Sequence, residues 1–91
     1  MKILWSSRGW VDVDRLHKFL AEHDIDAADA VFDKLANAPA SLLAFQRRGS
    51  RLSQYDPREV RELRVGNYLI RYELKETDIL VLRFFHFREN R

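Results

Sequence analysis

The sequence predicts an α+β domain: a short N-terminal strand and an α-helical hairpin packed on a C-terminal three-stranded antiparallel meander. Three observations predict it. Tyr68, Ile70, Tyr72 and Leu74 recur at every second position, with Leu69, Arg71 and Glu73 between them. A period of two puts the two sets on opposite faces of a strand. Gly66-Asn67 interrupts the run that begins at Val60, and Lys75-Glu76-Thr77-Asp78 interrupts it again before residues 79–87. The first interruption suits a two-residue hairpin, and the second is a polar break before a segment rich in β-branched and aromatic side chains. Upstream, residues 10–46 carry apolar side chains three and four apart, the spacing of amphipathic helices.

In chain order, Ile3-Leu4-Trp5 ahead of Ser6-Ser7 predicts a short fourth strand. Ser7 or Gly9 then leads into a helix whose apolar face is Val13, Leu16, Phe19 and Leu20. Asp12 and Asp14 fall near its start, where negative charge suits the helix dipole. His17 and His23 lie six apart and read as surface histidines, because they cannot share a face as metal-binding neighbours do. Asp26 is the expected N-cap of a second helix along Ala27, Val31, Leu35 and Ala38, with Phe32 beside the stripe. Pro39 is expected to kink or break that helix, which then runs to about residue 46 through Leu42, Leu43 and Phe45. Residues 46–58 hold Gly49, Pro57, two serines and four arginines, and read as a basic loop pinned by Leu52 and Tyr55.

Ninety-one residues make one domain, 1–91, with a single modest core. There is no cysteine, which excludes disulfides, thiolate nucleophiles and cysteine-ligated metal centres. No stretch is long enough for a membrane span, and the N-terminal apolar run is too short for a signal peptide, so a cytoplasmic setting is expected. No cofactor is implied. The net charge of +2 conceals an asymmetry: residues 1–46 carry five Lys/Arg against seven Asp/Glu, and residues 47–91 carry eleven against seven. Ten of those eleven cations are arginine, the side chain suited to bidentate contacts with phosphate or carboxylate. The basic half fits either a polyanion or acidic partner, or a sheet face whose arginines pair with neighbouring glutamates.

The three glycines are isolated, so no phosphate-cradling loop is present, and no serine sits in a nucleophile-elbow pattern. His86 ends the last strand between Phe85 and Phe87, with Arg83 and Arg88 nearby. Neighbouring cations favour a neutral imidazole, suited to a general base or to a hydrogen-bonding role at a strand end.

Those residues carry a resemblance. Arg61-Glu62-Leu63, the Gly66 turn, the Tyr68-x-Ile70-x-Tyr72 strand and the run from Leu82 to Arg88 are similar, in that order, to the RelE/ParE superfamily of bacterial type II toxins. Trp5-Ser6 at the first helix and the Arg47-Arg48-Gly49 loop extend the likeness along the chain. It implies a helical hairpin on a small antiparallel sheet, and a cognate antitoxin that docks on an exposed strand edge or an apolar groove at the hairpin. RelE-like members cut messenger RNA on the ribosome with clustered basic residues, in some of them joined by a histidine, a glutamate and a tyrosine. Here Arg61, Arg83 and His86 would take such roles, but Phe87 offers no hydroxyl. ParE-like members poison DNA gyrase, and Phe85-His86-Phe87-Arg88 resembles their ending better. The resemblance then implies target or partner contacts at Arg83, His86, Arg88 and Arg91, with Arg61 and Arg71 second. A relic that binds antitoxin without toxicity is the third alternative.

Overall fold

The computed structural model describes residues 1–89. Strand β1 (Lys2–Trp5) leads into helices α1 (Ser7–Ala21) and α2 (Ile25–Asn37). Strands β2 (Ser50–Arg51), β3 (Glu59–Val65), β4 (Tyr68–Leu74) and β5 (Asp78–His86) follow. They form one mixed sheet in the order β1-β5-β4-β3-β2. The meander is β3-β4-β5, and β1 joins it parallel to β5. The helical hairpin covers one face.

Ser6 starts α1 and ties it to the sheet. Its Oγ accepts the Gly9 N–H at 3.0 Å and donates to the Leu82 carbonyl at 2.8 Å, so one hydroxyl both caps the helix and anchors it. Asp24, rather than the expected Asp26, caps α2 by accepting the Ala27 N–H at 3.1 Å. Asp26 sits inside the first turn, where its charge still suits the dipole. The second helix breaks at Asn37 and continues only as a 3-10 turn, Ala38–Leu43, with Pro39 near its start. Proline has no N–H for the α-helical ladder, and the tighter turn buries Pro39 and Leu42 instead.

At the β3–β4 hairpin only Gly66 adopts positive φ, at 60°, and Asn67 does not. The expected inward face of β4 holds: Tyr68, Ile70 and Tyr72 are buried. In β5 the register shifts. Tyr72 lies opposite Val81 and Arg71 opposite Arg83, leaving Leu82 as an extra residue. That bulge returns Phe84 and His86 to the helix side, in line with Ile79 and Val81. The core joins Val13 and Leu16 of α1, Leu35 of α2 and Ile70, Val81 and Phe84 of the sheet. A second cluster places Leu42 against Leu63, Tyr72 and Ile79. Phe19, expected on the buried face of α1, is 65% exposed.

The expected 46–58 loop contains a strand that composition hides. Ser50 and Arg51 pair with Glu62 and Arg61. The Tyr72 hydroxyl holds the approach, accepting the Gly49 N–H at 2.9 Å and donating to the Gln46 carbonyl at 2.8 Å. Burial pushes this phenol above its usual range, against the smaller opposing effects of the Gly49 amide and Arg61. Replacing Tyr72 by Phe leaves a buried amide without its acceptor and is expected to cost about 1–3 kcal/mol. Urea unfolding checks it: the midpoint falls with the slope unchanged.

Candidate functional site

The end of the sheet that carries His86 is built from β5, the β3–β4 hairpin and α1. β1 covers the β5 edge only as far as Val81, whose carbonyl accepts the Ser6 N–H at 2.9 Å. Beyond it, side chains satisfy the outward-facing backbone. Asp12 Oδ2 accepts the Phe84 N–H at 2.9 Å, Arg15 Nη2 reaches the Phe84 carbonyl at 3.5 Å, and Glu89 Oε1 accepts the His86 N–H at 3.1 Å. An edge so occupied cannot template a further strand without displacing them. Among the described residues, no side chain bonds the outer edge of β1. Lys2 and Ser6 bond toward the β5 side, so the backbone groups of Ile3 and Trp5 point outward.

Asp12 is the centre of that plug. Its side chain is 2% exposed and receives Arg83 Nε at 2.6 Å and Arg83 Nη2 at 3.1 Å, with Arg15 Nη2 at 3.4 Å. Burial pushes its carboxyl up, but Arg83, the Phe84 amide and Arg15 together outweigh burial and hold it below the usual range. The sequence placed Asp12 at the helix dipole; it serves the sheet edge instead.

His86 lies on the helix side of β5, edge-on to Tyr68 with ring centroids 5.3 Å apart. Its Nδ1 accepts the Arg88 N–H at 3.2 Å. The two rings border a pocket of about 640 Å³ whose apolar side is Leu16, Phe19 and Leu20, with Arg15, Arg88 and Glu89 at its rim. Burial raises the Tyr68 hydroxyl above its usual range, and Glu89 adds to the effect.

The other expected site residues are dispersed. Arg83 stands beside Arg71 on the face turned from the helices and wraps the β5 edge to Asp12. Arg71 pairs with Glu62 at 2.8 Å, donates to the Tyr55 hydroxyl at 3.0 Å and lies over the Phe85 ring. Arg61 bonds Glu59 at 2.9 Å and the Gly49 carbonyl at 2.7 Å. The Glu59 carboxyl is held below the usual range by Arg47 first and Arg61 second. Arg61 aligns with Tyr72, whereas His86 aligns with Tyr68. Their backbones are therefore separated by about 13 Å along the strands and about 10 Å across them. Arg61, Arg83 and His86 do not converge. Arg88 is exposed beside Phe87, and Arg91 lies outside the described residues. Among the described residues, no three His, Cys, Asp or Glu side chains are placed to hold a metal ion.

The family model for the ParE toxin of type II toxin-antitoxin system, parDE, matches residues 3–91. The chain belongs to the ParE toxin family. Among solved structures, the chromosomal ParDE toxin–antitoxin system from P. aeruginosa superposes with a TM-score of 0.79, covering 94% of this chain and 95% of that one. The identity is 17%, so the likeness shows a common fold. No curated protein sequence matches the chain. In this ParE-family member, no helix among the described residues is long and apolar enough to cross a membrane. Sequence reading found His86 and Arg88 but missed Arg15, Arg64, Lys34 and Glu89, which the fold brings to the same end of the molecule. Arg64 had one usable signal, its position two residues before the Gly66 turn. Lys34 arrives from a different helix and had none.

Proposed function

We propose that this ParE-family chain is a binding toxin that poisons DNA gyrase and is neutralised by a cognate antitoxin. The observation that carries the reading is the internal use of the basic groups a nuclease would need. Arg83 is bound to Asp12, Arg61 to Glu59 and the Gly49 carbonyl, and His86 stands apart from both. Positional catalysis on an RNA phosphate requires such groups to meet at one point. A contact surface does not, and His86 with Arg88 at the tip of β5 suits one. The apolar pocket rimmed by Arg15 and Arg88 fits an amphipathic antitoxin segment with acidic flanks.

The test uses the purified chain, freed of antitoxin, in gyrase supercoiling and DNA-cleavage assays, with mRNA cleavage on translating ribosomes in parallel. Gyrase inhibition with intact mRNA is expected, and His86→Ala or Arg88→Ala should weaken it by about 30-fold, the effect of a contact hot spot of about 2 kcal/mol. Codon-phased mRNA cuts with unaffected gyrase would overturn the reading.

A further inference from the structure

We infer that the Gly66-Asn67 hairpin tip is a nucleic-acid backbone site, at which Lys34, Arg64 and Arg88 take phosphates of duplex DNA. Three cations from three elements meet there. Arg64 Nε donates to the Gly66 carbonyl at 2.8 Å, and its guanidinium lies 4.4 Å from the centroid of the Phe87 ring. The Arg88 guanidinium lies 5.2 Å from the same centroid, and the Phe87 N–H bonds the Asn67 carbonyl at 2.8 Å. Lys34 reaches over from α2: a β-carbon on Gly66 would stand 2.6 Å from its Nζ. Gly66, with its positive φ and no side chain, is what lets the ammonium sit against the turn.

These cations differ from most of the described arginines, although Lys2, Arg8, Arg48 and Lys75 likewise form no ion pair among the described residues and lie away from this turn. Arg15, Arg47, Arg51, Arg58, Arg61, Arg71 and Arg83 each bond a carboxylate. Lys34, Arg64 and Arg88 are exposed, and among the described residues none of them forms an ion pair. Phe87 orients two guanidiniums without neutralising them. Three oriented, solvated positive charges around one protruding turn attract a polyanion.

The surroundings favour nucleic acid over an acidic protein. Protein interfaces draw their energy from an apolar anchor in a desolvated pocket. Lys34 and Arg64 do not line the apolar pocket that Arg88 rims, and the Phe87 ring beside the turn is already covered by the two arginines. Binding by charge alone is how proteins hold a phosphate backbone, through release of its condensed counterions. The inference rests on the gyrase reading for its setting, a complex that contains DNA, and on the tip alone for the contact.

The test is fluorescence anisotropy of a short labelled duplex with the full chain between ~50 and ~200 mM salt. Three phosphate contacts predict a slope of log K against log salt of about −2.7, and a loss of about 40-fold across that range. Arg64→Gln and Arg88→Gln should each flatten the slope by about 0.9, and Arg64→Lys should restore it. No binding at ~50 mM salt, a slope unmoved by the variants, or competition by polyglutamate at the tip with no duplex bound would each overturn the inference. Gyrase assays on the same samples separate the two claims. Inhibition by a chain that binds no duplex sinks the DNA site and leaves the toxin reading standing. Duplex binding without inhibition does the reverse.

Discussion

Replacing Asp12 by Ala is expected to lower folding stability by about 2–4 kcal/mol, because it leaves the buried Phe84 amide without its acceptor and the partly exposed Arg83 without its counter-ion. Several groups depend on this carboxylate: the Arg83 guanidinium, the Phe84 amide and, at longer range, Arg15. The loss also frees the β5 edge, so aggregation on partial unfolding should rise with it. Urea titration reads the first effect and light scattering the second. Asp12→Asn keeps the shape and part of the hydrogen bonding, and should cost less. A pH series separates charge from shape. The folded carboxyl lies below its ordinary value, so its contribution is fully present above the unfolded value of about 3.9 and disappears as pH falls through the folded one. Asp12→Asn should therefore be less destabilised than the parent on acidification. An acid limb identical in both proteins would show that this pair contributes nothing to stability.

Truncating Phe84 to Ala should cost about 3–5 kcal/mol, from lost transfer energy plus the cavity that remains. The ring is fully buried and stacks on Trp5 at 4.9 Å, which in turn stacks on Trp10 at 4.0 Å. The tryptophan pair joins β1 to α1, so the cavity opens where the sheet edge meets the hairpin. Tryptophan emission should shift to the red and the near-ultraviolet circular dichroism should weaken, together with the drop in denaturation midpoint. Unchanged emission in a destabilised variant would mean that the stack does not depend on the ring beneath it.

The elements legible in the sequence were those whose signal is local. Alternation over residues 68–74 and the Gly66 turn gave the meander, and the spacing of Val13 and Leu16 gave α1. What escaped depends on partners distant in sequence. Ser50-Arg51 is too short to show a period and becomes a strand only because β3 lies beside it. Phe19 has a core spacing yet lines an open pocket rather than the packed core. Asp12 looked like an ordinary first-turn acid; its role needs a strand seventy residues later. The same holds at the candidate site. His86 and Arg88 were visible as a strand ending, whereas nothing in the chain indicated that Arg83 would be consumed by Asp12 or that Lys34 would reach the Gly66 turn.

The extra residue at Leu82 gives β5 two reading frames. Up to Val81 odd-numbered positions face the helices, and from Arg83 onward even-numbered ones do. Deleting Leu82 would remove the bulge and leave both faces as they are, since Arg83 would then follow Val81 and Phe84 and His86 would still alternate onto the helix side. A strand that kept Leu82 but paired without the bulge would instead carry Phe85 and Phe87 inward and turn Phe84 and His86 to the opposite side. Comparisons of this strand between related chains therefore have to allow a gap at residue 82, since an ungapped alignment with a chain that lacks the bulge assigns every later side chain to the wrong face.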